Sequence, residues 1–227
     1  HPGNFAFEIG NPDLPSEHGL GLDVSLRGRT TRLNGEITFF RNDIDDFIFR
    51  SPLTDEEVAA REDEFLERFG ADEIDAEFPV IEHISADSVL QGIEAHADID
   101  LAAGFAAEFS YDMVRGRLKA SGEPLPRIPP FRVMGGLRYQ RNAMQVGLNV
   151  THAGTQDRVF GAEEPTEGYT LLKLYSSYSF QTGGATNTVT LRVDNATNEL
   201  YYNHLNYLKS VLPEMGRNVK LVYSVGF

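Results

Sequence analysis

The sequence contains no cysteine. This absence excludes a disulfide scaffold, a thiol nucleophile and every metal site built on cysteine sulfur. The sequence also lacks any run near the roughly 18 consecutive apolar residues of a membrane-spanning helix, which excludes a helical membrane protein. A β-barrel stays open, because its strands alternate apolar with polar residues and so have no long apolar run.

Basic residues are scarce, with 20 lysines and arginines against 34 aspartates and glutamates and a formal net charge of −14. Such a chain lacks the basic surface that nucleic acid requires, so no nucleic-acid partner is expected. The excess is concentrated: residues 53–87 hold 13 acidic side chains against Arg61 and Arg68, a net of −11. We expect this segment to be an exposed loop that attracts cations. The chain begins at His1 rather than Met, which predicts a processed or truncated product.

Alternation of apolar and polar residues is what the chain has in abundance, and it recurs about nine times. In the last run, one face carries the apolar and aromatic residues Val219, Leu221, Tyr223, Val225 and Phe227. Runs with a period of two predict β-strands that have one apolar face. The expected fold class is therefore all-β.

The connections between these runs alternate in length. The short ones fall near Arg29–Arg32, Ala102–Gly104, Arg141–Ala143 and Gln181–Asn187, and the long ones near Arg50–Ser88, Arg115–Pro130, Ala153–Gly168 and Ala196–Gly216. This is typical of an antiparallel up-and-down transmembrane β-barrel, with tight periplasmic turns and long outer loops. A β-sandwich is the alternative, although its connections need not alternate in length.

One short helix is expected in the longest outer loop. Thr54 and Glu57 have the spacing of a capping box, and Gly70 supplies a stop. Between them a narrow apolar stripe is formed by Val58, Phe65, Leu66 and Phe69. We expect this helix to lie on the rim of the barrel.

Candidate metal ligands lie just after this helix. Glu82, His83 and Asp87 combine carboxylates with an imidazole, a set that suits Zn²⁺ or another divalent ion. The alternative is a solvated acidic loop without a ligand. No catalytic residue is predicted, because the chain has no nucleophile motif and no phosphate-binding loop.

Four further polar residues share one strand face, namely Glu94, His96, Asp98 and Asp100. We expect them to line the lumen, in contact with water, cargo or a plug. His96 and Asp98 also raise the hypothesis of an outer-membrane hydrolase. Their Cα atoms should lie about 7 Å apart, which is too loose to establish a general-base pair.

Three stretches resemble the C-terminal part of TonB-dependent outer-membrane receptors. The stretch Glu8–Leu14, followed by Glu17, resembles the family's Asn-Pro-Asp-Leu-Lys-Pro-Glu box, with Pro15-Ser16 in place of Lys-Pro. A second stretch, formed by Asp112–Leu118 and Leu125–Pro130, resembles a strand-loop-strand segment of the family branch that includes zinc-uptake receptors. The ending is similar too, through Val193–Glu199, Tyr202, His204, Met215–Asn218 and Phe227.

This resemblance implies a protein of the bacterial outer membrane, nearest the zinc and metal-uptake branch. Residues 1–227 would supply about nine C-terminal strands of a 22-stranded barrel, without its plug domain and N-terminal strands. The implied function is TonB-driven uptake of a metal ion or metal chelate, with no enzymatic activity and no cofactor. The implied partners are outer-membrane lipid, the rest of the barrel, the plug, TonB and the metal ligand. A passive pore or adhesin barrel without TonB coupling is the alternative function.

Overall fold

The computed structural model describes residues 6–69 and 79–227, without the side chains of residues 62, 68 and 69. Its elements are β1 (Phe7–Ile9), β2 (His18–Arg29), β3 (Leu33–Pro52), α1 (Asp55–Ala60), α2 (Glu62–Phe69), β4 (Val80–Asp100), β5 (Phe105–Leu118), β6 (Arg132–Arg141), β7 (Met144–Ala153), β8 (Tyr169–Thr182), β9 (Ala185–Asp194) and β10 (Asn218–Gly226). No helix in this described part is long and apolar enough to cross a membrane. The prediction of an all-β fold is confirmed.

Nine strands form one up-and-down sheet, in which each strand from β2 to β10 pairs antiparallel with the next along the chain. The sheet is open within the described residues, with β2 and β10 at its edges. Strands β6, β7 and β9 have ten residues each. A transmembrane strand needs about 9–11 residues, so these strands have the length to cross a bilayer.

The apolar side chains of neighbouring strands line up on one face of the sheet. One such row runs through Leu137, Leu148, Leu174, Val193 and Val219, which are successive cross-strand partners. This face is open rather than packed: Leu20 is 77% exposed and Leu221 is 72% exposed. The β-sandwich alternative is wrong, because a sandwich would bury these rows between two layers.

The opposite face is polar and concave. Ion pairs join cross-strand neighbours on it, at 2.9 Å for Arg27 and Glu36 and at 3.1 Å for Arg132 and Asp112. Together with Thr38, Glu94 and His96, these side chains line a concavity of about 810 Å³. We call this the lumen face, and its polarity is the one expected of a barrel interior.

The acidic segment forms two short helices rather than the one that the sequence predicted. The capping box is present at the start of α1, where Thr54 and Glu57 bond each other's backbone N–H. Arg61 ends α1 with a non-helical backbone, and its guanidinium binds Glu64 at 2.9 Å and Glu82 at 3.0 Å. Phe65 of the predicted stripe is fully buried against Ile9 and Val80. Gly70 and the side chain of Phe69 lie outside the described residues.

Strand β1 was not predicted from the sequence. It pairs in parallel with β4, through Phe7–Ile9 against Val80–Glu82. Strand β4 extends beyond β5, whose last partner on it is Ser88. The overhanging edge of β4 would otherwise present unpaired backbone groups, and β1 satisfies part of it.

Candidate ligand-binding site

The four long connections emerge at one end of the sheet, where they enclose a cavity of about 540 Å³. Its walls come from the upper β3–β4 hairpin and from the three loops after β5, β7 and β9. We call this the loop cavity, and its lining includes Phe47, Phe49, Arg50, Ile81, His83, Arg127, Phe160, Glu163, His204, Tyr207 and Lys209. Most of the wall is apolar, with charged groups at a few places, which is the usual composition of a small-molecule site.

An apolar cluster supports the floor of the loop cavity. Phe49 packs with Leu118 and Leu125, and all three are buried. Phe49 also meets Phe160 edge to face, with 5.2 Å between the ring centroids. This cluster joins the β3–β4 hairpin to the loops after β5 and β7, so these walls have a fixed relative position.

A buried polar network joins the last two loops. The Glu163 carboxylate accepts hydrogen bonds from His204 Nε2 at 3.1 Å and from Lys209 Nζ at 2.9 Å. It also accepts one from the backbone N–H of Arg127 at 3.0 Å. His204 is 2% exposed, and its Nδ1 lies 3.0 Å from the Thr166 hydroxyl. The sequence directed attention to His204 but missed Glu163 and Lys209, which no short-range pattern connects to it.

These contacts change the ionisation of Glu163. Burial alone would raise its pKa, but the hydrogen bonds from His204, the Arg127 backbone and Lys209 outweigh burial and lower the pKa to about 2. The carboxylate is therefore charged at neutral pH, and it compensates the ammonium of Lys209. We expect this network to fasten the final loop to the loop after β7.

Two arginines converge on one aromatic ring in the loop cavity. The Arg127 guanidinium lies 3.5 Å from the centroid of Tyr207, and that of Arg50 lies 5.0 Å from the same centroid. Arg127 donates to the backbone carbonyl of Leu205, a neutral acceptor, while Arg50 pairs with Glu8. The Nε of Arg50 is buried without a hydrogen-bond acceptor in the described part of the chain. The charge of Arg50 is thus matched by Glu8, whereas the guanidinium of Arg127 has a neutral carbonyl as its acceptor among the described residues.

The three predicted metal ligands are not brought together. Glu82 and His83 are consecutive in β4 and so point to opposite faces of the strand. Glu82 is paired with Arg61, and Asp87 accepts a hydrogen bond from the backbone N–H of Asp46 at 3.1 Å. His83 is the one of the three that lines the loop cavity. Across residues 6–69 and 79–227 there is no group of three histidine, aspartate or glutamate side chains that would hold a metal ion.

The lumen-face residues take the alternation that the sequence predicted. The side chains of His96 and Asp98 meet, with a carboxylate oxygen of Asp98 2.9 Å from His96 Nε2. About half of each of these two side chains is exposed. Both belong to a cross-strand polar surface that also includes Ser25 and Thr38, whose hydroxyls lie 2.9 Å apart.

Segments that carried the family resemblance have structural roles at the starts of loops and strands. Asn11 accepts a hydrogen bond from the backbone N–H of Asp13 at 3.0 Å, which closes a local turn. Glu17 accepts one from Ile48 at 2.6 Å and so fixes this segment against β3. At the other end, Asn195 bonds both backbone groups of Glu199 at 2.8 Å and starts the final loop.

Comparison with known proteins agrees with this architecture. Residues 1–196 match the family described as TonB dependent receptor-like, beta-barrel. The heme/hemopexin utilization protein C of Haemophilus influenzae is 28% identical over 228 residues, covering 95% of this chain and 31% of that protein. The name of that protein refers to haem.

Solved structures show the same fold. The copper transporter OprC superposes with a TM-score of 0.74 at 19% identity, covering 91% of this chain and 31% of that one. The FrpB iron transporter of Neisseria meningitidis gives a TM-score of 0.66 at 15% identity, covering 95% and 32%. The chain thus spans about a third of the length of these relatives.

These relatives are named for haem, copper and iron, so the narrower assignment to the zinc branch stays a prediction. The matched family is one of receptors rather than enzymes, in agreement with the sequence. Because the family match extends over residues 1–196, the chain belongs to the TonB-dependent receptor β-barrel family.

Proposed function

We propose that this chain is the C-terminal part of an outer-membrane receptor for TonB-driven uptake of a metal ion or metal chelate. The observation that carries the proposal is the arrangement of three surfaces on one sheet. An exposed apolar face suits lipid, the opposite face is polar, and a partly charged cavity lies at the loop end. Membership of the receptor family supports the same function.

The proposed partners follow from the surfaces. Lipid hydrocarbon would cover the apolar rows, since no other layer of the described chain does. The free edges of β2 and β10 would pair with the remaining strands of the barrel, because an open sheet edge is not tolerated in a bilayer. The lumen face would meet a plug domain, through which TonB would act.

The proposed cargo is a metal ion or a metal chelate. The names of the relatives refer to copper, iron and haem, and each of these contains a metal. The acidic residues of the segment from Leu53 to Asp87 would raise the local concentration of cations near the loops. Of the predicted ligands Glu82, His83 and Asp87, we propose that His83 contributes to capture, because it lines the loop cavity.

Growth under metal limitation tests this function. We would compare a strain that expresses the full-length receptor, a receptor deletion, and a TonB deletion that expresses the receptor, each supplied with one metal source at a time. Active uptake predicts that growth on at least one source needs both the receptor and TonB. Receptor-dependent growth that persists without TonB would instead support the passive pore.

A further inference from the structure

We propose that Arg115, Arg117 and Arg158 form a binding site for the phosphate monoester headgroup of a lipid in the outer leaflet of the membrane. The site lies on the face of the sheet that carries the apolar rows, which we call the outward face. The inference goes beyond the proposed function and takes one element from it, namely that the long connections lie on the outer side of the membrane.

The outward face changes from apolar to charged at one level. In β5 the residues of this face that precede Arg115 are Phe105, Ala107, Phe109, Tyr111 and Met113. Phe105 and Arg115 are ten residues apart. At about 3.3 Å per residue and a strand tilt of about 40°, this separation spans about 25 Å, which is the height of the apolar band of a membrane β-barrel. Arg115 therefore lies at the level of the lipid headgroups.

The same change occurs on the neighbouring strands. Arg41 of β3 and Gln91 of β4 are cross-strand partners, and Gln91 is in turn the partner of Arg115. Below this row, the next outward residues of β3 and β4 are Phe39 and Ile93. Three adjacent strands thus place the edge of the apolar band at one height.

A group of rings marks this boundary independently. Tyr111 and His152 lie on the outward face, because both are cross-strand partners of Val133. The ring of Phe131 lies 6.5 Å from that of Tyr111 and 6.0 Å from that of His152. Aromatic side chains of membrane proteins gather at the membrane–water interface. Their position here agrees with the height calculated for Arg115.

A small pocket lies beside these rings. Strand β4 pairs with β5 as far as Leu118, whereas β6 pairs with β5 only as far as Asp112, opposite Arg132. The loops after β5 and β7 fill the resulting gap incompletely and leave a pocket of about 160 Å³, lined by Arg115 and Arg158. This is the space of about five water molecules. It suits a phosphate group, because sites for drug-sized molecules need about 300 Å³ or more.

The three arginines of the site carry uncompensated charge. All three are exposed, and none forms an ion pair with a residue that the structure describes. Arg117 lies two residues beyond Arg115 on the same face, about 7 Å away. Asp157 also lines the pocket and is the opposing carboxylate there. Three arginines against one aspartate leave a net charge of +2 at the site.

The other outward charges at this end largely compensate one another. Arg41 pairs with Asp43 at 2.7 Å, and Lys119 pairs with Asp45 at 3.2 Å. Exposed Asp87 also lies near Lys119. These carboxylates are grouped around Lys119, so the positive potential is strongest at the pocket itself.

This charge and geometry favour a phosphate monoester that is attached to a lipid. A monoester carries about −1.5 to −2 charges and three acceptor oxygens, and the planar fork of arginine binds such oxygens in pairs. A phosphodiester carries one charge and two free oxygens, so it would compensate the site less fully. A lipid also has an advantage over free phosphate, because its acyl chains can lie on the apolar rows just below the pocket.

Lipid binding to the purified full-length receptor tests the inference. Native mass spectrometry counts bound lipid during titration with lipid A, which carries phosphate monoesters, or with phosphatidylglycerol, a phosphodiester. A second series adds an excess of inorganic phosphate to the complex with lipid A. The variants are Arg115→Gln and Arg158→Gln, and the control is Arg138→Gln, because Arg138 lies on the lumen face of β6. Heat-modifiable gel mobility identifies the variants that fold.

We expect the wild-type receptor to bind lipid A more tightly than phosphatidylglycerol. Arg115→Gln and Arg158→Gln should each weaken the binding of lipid A by about fivefold, the usual contribution of one arginine at an anionic lipid surface. Arg138→Gln should leave the binding unchanged. Inorganic phosphate should not displace lipid A, because it lacks the acyl chains.

Equal binding of lipid A by the wild type and both outward variants would overturn the inference. Tighter binding of phosphatidylglycerol by the wild type would also overturn it, and that comparison needs no variant. Displacement of lipid A by inorganic phosphate would show that the pocket does not select a lipid. The proposed function fails separately: a receptor that binds lipid A through these arginines but supports no TonB-dependent growth would refute active uptake alone.

Discussion

Leu148 provides the sharpest test of which face of the sheet meets lipid. It is the fifth of ten residues in β7, and its cross-strand partners are Leu137 and Leu174. A strand of about ten residues spans the hydrocarbon core, so the middle of β7 lies near the bilayer midplane. Asn149 follows directly and lies on the lumen face, where it lines a separate cavity of about 530 Å³.

Replacing Leu148 with arginine places a charge in hydrocarbon. At the midplane of a β-barrel this costs about 2–4 kcal/mol, which corresponds to a decrease of about 30- to 700-fold in the folding equilibrium. Asn149→Arg introduces the same side chain one residue further along the strand. Its charge should remain in water, so we expect a cost close to zero.

The measurement is unfolding of the full-length receptor in lipid vesicles by urea, with heat-modifiable gel mobility as a check on insertion. Leu148→Arg should lower the free energy of unfolding, and Asn149→Arg should leave it nearly unchanged. Equal losses in the two variants, or a larger loss for Asn149→Arg, would show that the assignment of the two faces is wrong.

Two further predictions concern the loops. The pKa of Glu163 is lowered to about 2, so its contribution to stability is fully present above its unfolded pKa of about 4.3 and is lost as the pH falls through about 2. Pepsin should therefore cleave Glu163→Gln faster than the wild type at pH 5 but not at pH 2. Equal cleavage rates at pH 5 would contradict this reasoning. Thr54→Ala removes the cap of α1 and should lower the stability of this helix by about 1 kcal/mol, seen as roughly fivefold less protection of residues 55–60 from hydrogen exchange. Thr54→Ser should retain the protection. A similar loss of protection in both variants would contradict the capping role.

The sheet was predictable because its signal is local and repeated. Each strand carries its own period of two, and lipid exposure makes that period strict on one face. Strand β1 has three residues, too few to show a period, and it forms only because β4 extends past β5. The break between α1 and α2 falls at Arg61, whose ion pair with Glu82 is a tertiary contact across 21 residues.

The loop cavity was not predictable for a related reason. Proximity in sequence grouped Glu82 with His83, although adjacent residues of a strand face opposite ways. The residues that do meet come from distant connections: Arg127 reaches the backbone of Leu205 across 78 residues, and Glu163 reaches Lys209 across 46. No single-sequence pattern encodes such pairs, because barrel geometry rather than local spacing brings the loops together.

The charges around the loops would act on the proposed cargo at two different ranges. Acidic residues of the segment from Leu53 to Asp87 act on any approaching ion over about a Debye length, roughly 8 Å at physiological salt. Arg50 and Arg127 act only on a group that has entered the loop cavity, where water is partly excluded and hydrogen bonds are strong. The proposed cargo, a metal ion or a metal chelate, would therefore meet the long-range field of the acidic segment before it meets the hydrogen-bond donors of the loop cavity.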